Sequence, residues 1–241
     1  MKFLKWFGIA IGAIIIVAVL VLGYLGFVPG VSNLFGSNQP KDLGVIYTEA
    51  DYASAHARNG TTHTILPDAL NPEDSIKFSG QHQVNTTYTQ AEFNALINYR
   101  DWEYYPLRDC QFRINQDGTL EFTGIIIKNR INGYMEALGA DENSLNTILG
   151  YLKYIPGNVA FYTKGKFEII NGQIINTNVD TFKIGNLSLT GQVEDNLSSI
   201  ISGAYSQMNS YPGFTIKTLT FNNGQVQFEG TLPDSARTIS D

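Results

Sequence analysis

The longest apolar stretch of the chain lies at its start. The 23 residues from Trp6 to Val28 include no charged side chain, and Lys2 and Lys5 precede them. A helix of this length spans about 35 Å, enough to cross a hydrocarbon core of about 30 Å. Because the next basic residue is Lys41, the positive-inside rule predicts a cytoplasmic N-terminus. The pattern therefore predicts a single-pass transmembrane anchor within residues 1–28, with the main domain extracytoplasmic.

A cleaved signal peptide is the competing interpretation of this run. Such peptides have an apolar core of about 7–15 residues followed by a small-residue cleavage site. This run is longer, and its exit, residues 22–27, carries bulky Tyr24 and Phe27, so a retained anchor is favoured. Gly8 and Gly12 form a GxxxG pattern, through which two anchors could pack as a dimer.

The segment after the anchor has no hydrophobic period. Residues 29–45 begin with a stretch rich in glycine, proline, serine and asparagine, which is typical of a flexible tether. Regular patterns start near residue 46. We therefore expect one extracytoplasmic α+β domain over residues 46–241.

Two helix starts share one sequence design. Tyr47 to Tyr52 and Tyr88 to Phe93 each place a threonine three residues before an acid, with aromatic residues on both sides. This arrangement predicts a capping box and a hydrophobic staple. The predicted helices cover about 49–58 and 90–100. A polar loop (59–74) and a strand (76–88) are expected between them.

A longer repeat follows with a step of 52 residues. Helical patterns begin near Thr89, Asp141 and Val193, and each leads to a proline and then to a hairpin signal. The hairpin turns are predicted at Asp117-Gly118, Asn171-Gly172 and Asn223-Gly224, because Asx-Gly pairs favour tight β-turns. We interpret the domain as about three helix-plus-hairpin (αββ) units.

Strand alternation indicates a sheet with one buried face and one solvated face. Leu120 and Phe122 alternate with polar residues, as do Val226 and Phe228, which is the pattern of a half-buried antiparallel strand. The incoming strands of the first and third units differ in phase by one residue, and a β-bulge would reconcile them.

The predicted helices carry apolar stripes that suit packing on this sheet. If the twisted sheet curls round the helices, the stripes would line an apolar groove. The candidate ligand-binding residues are Phe93, Leu96, Ile97, Leu145, Ile148, Leu149, Leu152, Leu197, Ile200 and Ile201.

Charge and cysteine content narrow the range of partners. Without the two lysines before the apolar run, 14 of the 16 basic residues remain against 22 acidic ones. An acidic domain repels phosphate backbones, so nucleic acid is not an expected partner. The single cysteine, Cys110, cannot form an internal disulfide and is expected in the core.

Recognised catalytic motifs such as GxSxG, HExxH or a phosphate-binding glycine loop do not occur in the sequence. His56, His63 and His82 fit no ligand spacing of a zinc site. We therefore predict no catalytic residue, metal or cofactor. The aromatic cluster Tyr99, Trp102, Tyr104 and Tyr105 is interpreted as a packing plug, with stacking on sugars or a place at the bilayer interface as the alternatives.

The segment from Val84 to Ile97 resembles the YpmS-like membrane-anchored proteins of bacterial envelopes. The shared features are the preceding anchor, the opening "threonine, acid, then Asn-x-Leu-Ile" and the strand pairs that turn at Asx-Gly. The resemblance is clearest over residues 84–128. It implies a tubular lipid-binding, TULIP-like fold and brings no catalytic residues.

Two functional hypotheses follow from the sequence. The first is a membrane-anchored, non-enzymatic binding module that takes a lipid or another apolar ligand, or that scaffolds envelope proteins. The second is a cell-wall glycan-binding module or an enzyme acting on glycans. The second would need Trp102 or Tyr104 beside two carboxylates, for which Asp101, Glu103 and Asp109 are the candidates.

Overall fold

The computed structural model of the chain describes residues 15–26, 28, 30–67, 71–139, 157–195 and 197–240. The strands are β1 Thr62–Ile65, β2 Ile76–Ser79, β3 His82–Thr89, β4 Leu107–Ile114, β5 Leu120–Ile126, β6 Val159–Ile170, β7 Gln173–Ile184, β8 Leu187–Ser188, β9 Thr215–Asn222, β10 Gln225–Leu232 and β11 Ser235–Thr238. The α-helices are α1 (15–25), α2 Val31–Leu34, α3 Glu49–Asn59, α4 Gln90–Asn98, α5 Ile131–Ala137, α6 Thr190–Glu194 and α7 Leu197–Ser210. Two 3₁₀ turns lie at Pro72–Asp74 and Lys128–Arg130.

The transmembrane prediction is wrong. Among the described residues, no helix has both the length and the apolar character needed to cross a membrane. Within the predicted span, α1 ends at residue 25 and the chain turns at Gly26. The single-pass membrane localisation, which rested on the same span, is corrected with it. The prediction treated the whole apolar run from Trp6 to Val28 as one continuous helix, but the backbone turns within this run. Gly8 and Gly12 of the predicted dimer lie outside the described residues.

The main sheet has eight strands and is antiparallel throughout. Its order is β3-β10-β9-β6-β5-β4, while β7 pairs with the other edge of β6 and with β8. The sheet curls into a half-barrel. A smaller sheet has the order β1-β11-β2, and β1 runs parallel to β11.

The predicted fold class, three αββ units behind a transmembrane helix, is also wrong. The fold is α+β but mostly sheet, with short helices. A hairpin does form at each Asx-Gly turn, yet β6 takes up β5 and β9 on one edge and β7 on the other, so the units share one continuous sheet. The helix predicted near Asp141 lies outside the described residues. Turn signals are local, whereas the path of the sheet depends on distant pairing.

Two segments were misread for the same reason. The predicted loop at 59–74 contains β1, which pairs with β11 near the end of the chain. The predicted strand at 76–88 is divided between β2 in the small sheet and β3 in the large one.

Helix α4 contacts β4, β3 and β10, and the core forms beside it. Phe93 packs on Phe112 with ring centroids 5.0 Å apart, and Phe112 lies 5.4 Å from Phe221. The buried members of this core are Ala55, Val84, Tyr88, Leu96, Phe112, Ile114, Leu120, Ile169, Ile216, Phe221, Val226 and Phe228. Both predicted capping boxes are confirmed, at Thr48 with Asp51 and at Thr89 with Glu92.

Three amide side chains of α4 bind the edge of β4 that does not pair with β5. Asn94 accepts from the Phe112 N–H (2.7 Å) and donates to its carbonyl oxygen (2.8 Å). Asn98 makes the same pair of bonds with Cys110, and Gln90 accepts from the Ile114 N–H. Four residues of a helix rise about 6 Å, and two residues of a strand rise about 6.6 Å. Amides spaced four residues apart on α4 therefore meet every second residue of β4.

The outer face of β5 is covered, contrary to the predicted solvated face. Residues 41–45 form a strap across it, in which Lys41 N–H donates to Thr123 Oγ1 (3.0 Å) and Leu43 N–H donates to Gln111 Oε1 (2.7 Å). Glu121 and Thr123 are consequently buried. The Arg113 guanidinium lies 2.8 Å from Glu121 Oε1 and compensates its charge.

The phase difference between the incoming strands arises at the turns and not at a bulge within the strands. Ile114 pairs with Leu120 across the first turn, whereas Phe221 pairs with Val226 across the third, so the first turn is one residue longer. The register shifts between Arg108 and Gln111 and between Glu229 and Gly230 lie beyond these pairs.

Candidate functional site

A cleft opens where the main sheet divides, and we call it the fork cleft. It encloses about 530 Å³. Its lining residues are Gly118, Lys166, Phe167, Glu168, Asn176, Thr177, Asn178, Phe221 and Asn222. The β4–β5 turn and the end of β9 form its two sides, and β6 with β7 forms its floor.

The cleft exists because two strands share one edge of β6. Leu120 of β5 pairs with Gly165, and Leu219 of β9 pairs with Ile169. Between these pairs, Lys166 to Glu168 have no partner on this edge in the part of the chain that the structure describes. The two hairpins separate here and leave a gap.

The floor of the fork cleft is irregular. The β6–β7 register shifts twice, between Lys164 and Gly165 and between Lys166 and Glu168. Asn176 has a left-handed backbone with φ of 50°. Such bulges re-aim side chains, and uncommon backbone conformations often mark binding sites.

The polar groups of the cleft are mostly amides. Asn176 Nδ2 donates to Glu168 Oε2 at 2.7 Å, which holds that carboxylate against the floor. Asn178 Nδ2 donates to Asp180 Oδ1 at 2.7 Å. Lys166 is exposed at the rim. The cleft therefore offers one cation, one anion and several neutral groups that both donate and accept.

A second cleft, the α7 groove, adjoins the first. It encloses about 210 Å³ between α7 and β7. It is lined by Ile174, Ile175, Asn176, Thr177, Ile201 and Ser202. Asn176 and Thr177 line both clefts, so the two clefts meet at these residues of β7.

Tyr205 fixes α7 beside the sheet. Its hydroxyl lies 3.1 Å from the carbonyl oxygen of Gly172 and 3.0 Å from that of Ile216, and its one proton can be donated to either. Its ring packs against the main core, as do Phe167 and Ile174. The apolar residues of both clefts thus extend the core towards solvent.

The predicted ligand-binding residues lie in different parts of the chain and of the structure. Leu96 is buried in the core, and Phe93 and Ile97 pack against the same cluster. Leu145, Ile148, Leu149 and Leu152 lie outside the described residues. Leu197 and Ile200 belong to the start of α7, and Ile201 lines the α7 groove.

Sequence reasoning missed the strand residues of the clefts. Phe167, Ile174 and Asn176 line them, but none stands on a helical stripe. The available signal was the pair of asparagines in β7 (Asn176 and Asn178), which is unusual within a strand.

The histidines lie near one end of α3 without forming a ligand cluster. The His56 and His63 rings are 4.9 Å apart. Burial, with help from His56 and Arg100, lowers the pKa of His63 to about 4. His82 instead faces Asp234, with Nδ1 2.9 Å from Oδ1. Among the described residues, no three histidine, cysteine or acidic side chains group as metal ligands.

The central residue of the aromatic cluster after α4 packs inside the protein. Trp102 is buried, its Nε1–H donates to Ser75 Oγ (3.1 Å), and its ring lies 5.5 Å from that of Tyr134. Cys110 is also buried, as predicted, and burial followed by the charge of Asp109 raises the pKa of its thiol to about 12. Neither residue is placed to meet a ligand.

The three candidate carboxylates have different surroundings. Asp101 Oδ1 accepts from the Ser240 hydroxyl at 2.8 Å. Asp109 pairs with Arg108 at the β4 bulge, and the backbone N–H of Glu103 donates to the carbonyl oxygen of Ile239.

Comparisons with known proteins give no relative. No family model, no curated protein and no solved structure matches the chain.

Proposed function

We propose that this protein is a non-enzymatic module that binds an amphipathic ligand. The apolar part of the ligand lies in the α7 groove and its polar part in the fork cleft. The observation that carries the proposal is that the two clefts share Asn176 and Thr177. One ligand can therefore contact isoleucine side chains at one end and amides at the other.

The sizes of the clefts support a ligand that occupies both. Small-molecule sites usually enclose about 300–1,000 Å³. The α7 groove, at about 210 Å³, is smaller than that range, and the fork cleft, at about 530 Å³, lies within it. A short alkyl chain fits the groove, but affinity requires the additional contacts of the larger cleft.

Apolar burial supplies the driving force. Ile174 and Ile201 are half-buried, and a ligand chain laid on them removes further apolar surface from water. At about 25 cal/mol per Å², covering roughly 100 Å² contributes about 2.5 kcal/mol. Because Ile174 and Phe167 already pack on the core, the site is largely pre-formed.

The test is fluorescence titration of the full chain with dansyl-labelled undecanoic acid. Ile201→Asn should weaken binding about tenfold, because a polar amide replaces an apolar wall of the groove. Met208→Asn is the matched control, since it makes the same change on α7 at a 38% exposed residue that lines neither cleft. It should bind like the unchanged protein.

Equal loss of binding in both variants would place the ligand elsewhere on α7 and overturn the assignment. Absence of binding by the unchanged chain, both to this probe and to dodecyl maltoside, would overturn the proposed function itself. Circular dichroism of each variant establishes that the fold survives before affinities are compared.

A further inference from the structure

We infer that the polar part of the ligand is an uncharged polyhydroxyl group, such as the sugar headgroup of a glycolipid. This inference rests on the proposed function and specifies its ligand. It comes from the kind of polar group that lines the fork cleft, where neutral amides outnumber charges.

The charges of the cleft compensate one another. Among the described residues that line the cleft, Lys166 and Glu168 are the two with ionisable side chains. Asp117, on the β4–β5 turn, interacts electrostatically with Lys164 and Lys166. An anionic headgroup would face Lys166 together with these carboxylates, so it gains little net attraction.

The amides of the cleft retain unused hydrogen-bonding capacity. Asn176 and Asn178 each use one side-chain N–H, towards Glu168 and Asp180. An amide offers two N–H donors and an oxygen acceptor, so each retains a donor and its acceptor. For the exposed Asn222 amide, no side-chain partner occurs among the described residues.

Neighbouring hydroxyls of a sugar match this arrangement. Each hydroxyl donates one hydrogen bond and can also accept one. An amide group can accept the first with its oxygen and donate the second with its N–H. A sulfate or phosphate only accepts, so it would leave the amide oxygens unpaired. Where the bound ligand excludes water, leaving those oxygens unpaired costs affinity. The half-buried Phe167 ring adds an apolar wall for the C–H groups of the sugar.

The experiment compares three detergents with the same alkyl chain, each below its critical micelle concentration. They are dodecyl maltoside, dodecyl sulfate and dodecylphosphocholine, titrated into the full chain by calorimetry. We expect dodecyl maltoside to bind at least about tenfold more tightly than the other two. Changes in the apolar groove should not alter this ratio, so Ile201→Asn should weaken all three equally.

Variants of the amides test the assignment of the headgroup site. Asn178→Ala and Asn222→Ala should each weaken maltoside binding about fivefold, the loss of about one hydrogen bond, and weaken dodecyl sulfate binding by a smaller factor. Asn85→Ala is the matched control, because Asn85 is exposed on β3 and lines neither cleft.

The other outcomes separate the two proposals. Equal affinity for all three detergents, lost in Ile201→Asn, would overturn the sugar assignment and leave the amphipathic site standing. Tightest binding of dodecyl sulfate, weakened by Lys166→Ala, would overturn it in favour of an anionic headgroup. Binding of none of the three would overturn both.

Discussion

The side chain of Asn94 joins helix α4 to strand β4. Its side chain is fully buried. It bonds both backbone groups of Phe112, and its Nδ2 also donates to the Gln90 carbonyl oxygen at 2.7 Å. A buried backbone N–H or C=O that loses its partner costs about 1–3 kcal/mol. One side chain therefore prevents two such losses.

Asn94→Ala should lower the free energy of unfolding by about 3 kcal/mol, because the N–H and C=O of Phe112 lose their partner. Urea denaturation followed by circular dichroism measures the change. Asn85→Ala, the same substitution at an exposed residue, should change stability by less than about 0.5 kcal/mol. A loss for Asn94→Ala no larger than that of the control would contradict the bridging role.

Glu92 gives the fold a dependence on acid pH. Burial raises the pKa of its carboxyl, but hydrogen bonds from Arg58, the Thr89 N–H and Ser54 outweigh burial and lower the pKa to about 2. A carboxyl with a lowered pKa in the folded state stabilises the protein above its unfolded pKa. That contribution is lost as the pH falls from about 4.5 towards about 2.

Stability should therefore fall over this interval, and Glu92→Gln should make the fall shallower. The glutamine keeps the shape of the side chain but has no proton to gain. Urea midpoints at several pH values between about 2 and 6 supply the measurement. Parallel curves for the two proteins would show that Glu92 does not contribute.

The elements of the fold differ in how far their own sequence determines them. The capping boxes at Thr48 and Thr89 and the three Asx-Gly turns form as predicted, because each depends on residues within one turn. Strand β1 depends on β11, with Thr62 paired to Ser235. No local pattern shows that pairing, and the same holds for the division between β2 and β3.

The candidate site shows the same limit. The helical stripe included Ile201, which lines the α7 groove. It also indicated Leu96, whose identical pattern leads to the sealed core. Periodicity identifies the apolar face of a helix but not whether a neighbour covers it. Phe167 and Asn176 acquire their place only because β5 and β9 separate along β6.

Gly165 lies at a bulge where β6 and β7 form the floor of the fork cleft. A substitution there tests how closely the two strands approach. A Cβ atom at this position would lie 2.1 Å from the Asn178 carbonyl oxygen. Gly165→Ala should therefore push β6 away from β7. It should lower the free energy of unfolding by about 2 kcal/mol and weaken ligand binding.

Gly203→Ala is the matched control on α7, where an added Cβ meets no atom of the described residues within 4 Å outside the helix's own backbone. It should stabilise the helix by about 0.5–1 kcal/mol. Thermal denaturation of the two variants, with the dansyl titration, checks both effects. Similar behaviour of the two alanine variants would contradict the close approach of β6 and β7.

At the scale of the whole molecule, the described residues form a half-barrel that is covered in two places. The strap covers the outer face of β5, and α4 lies along the edge of β4. Among the described residues, the α7 groove and the fork cleft are openings beside the same core. The account therefore places ligand binding at the junction of β6, β7 and α7. The YpmS-like resemblance and its TULIP-like fold stay predictions.

Hydrogen–deuterium exchange of the full chain, with and without dansyl-labelled undecanoic acid, tests this placement most directly. A ligand that binds the folded state suppresses local opening at its site. The account predicts slower exchange in peptides covering residues 165–178 and 197–210, with no change in α3. Binding that slows exchange only outside those two segments would contradict it.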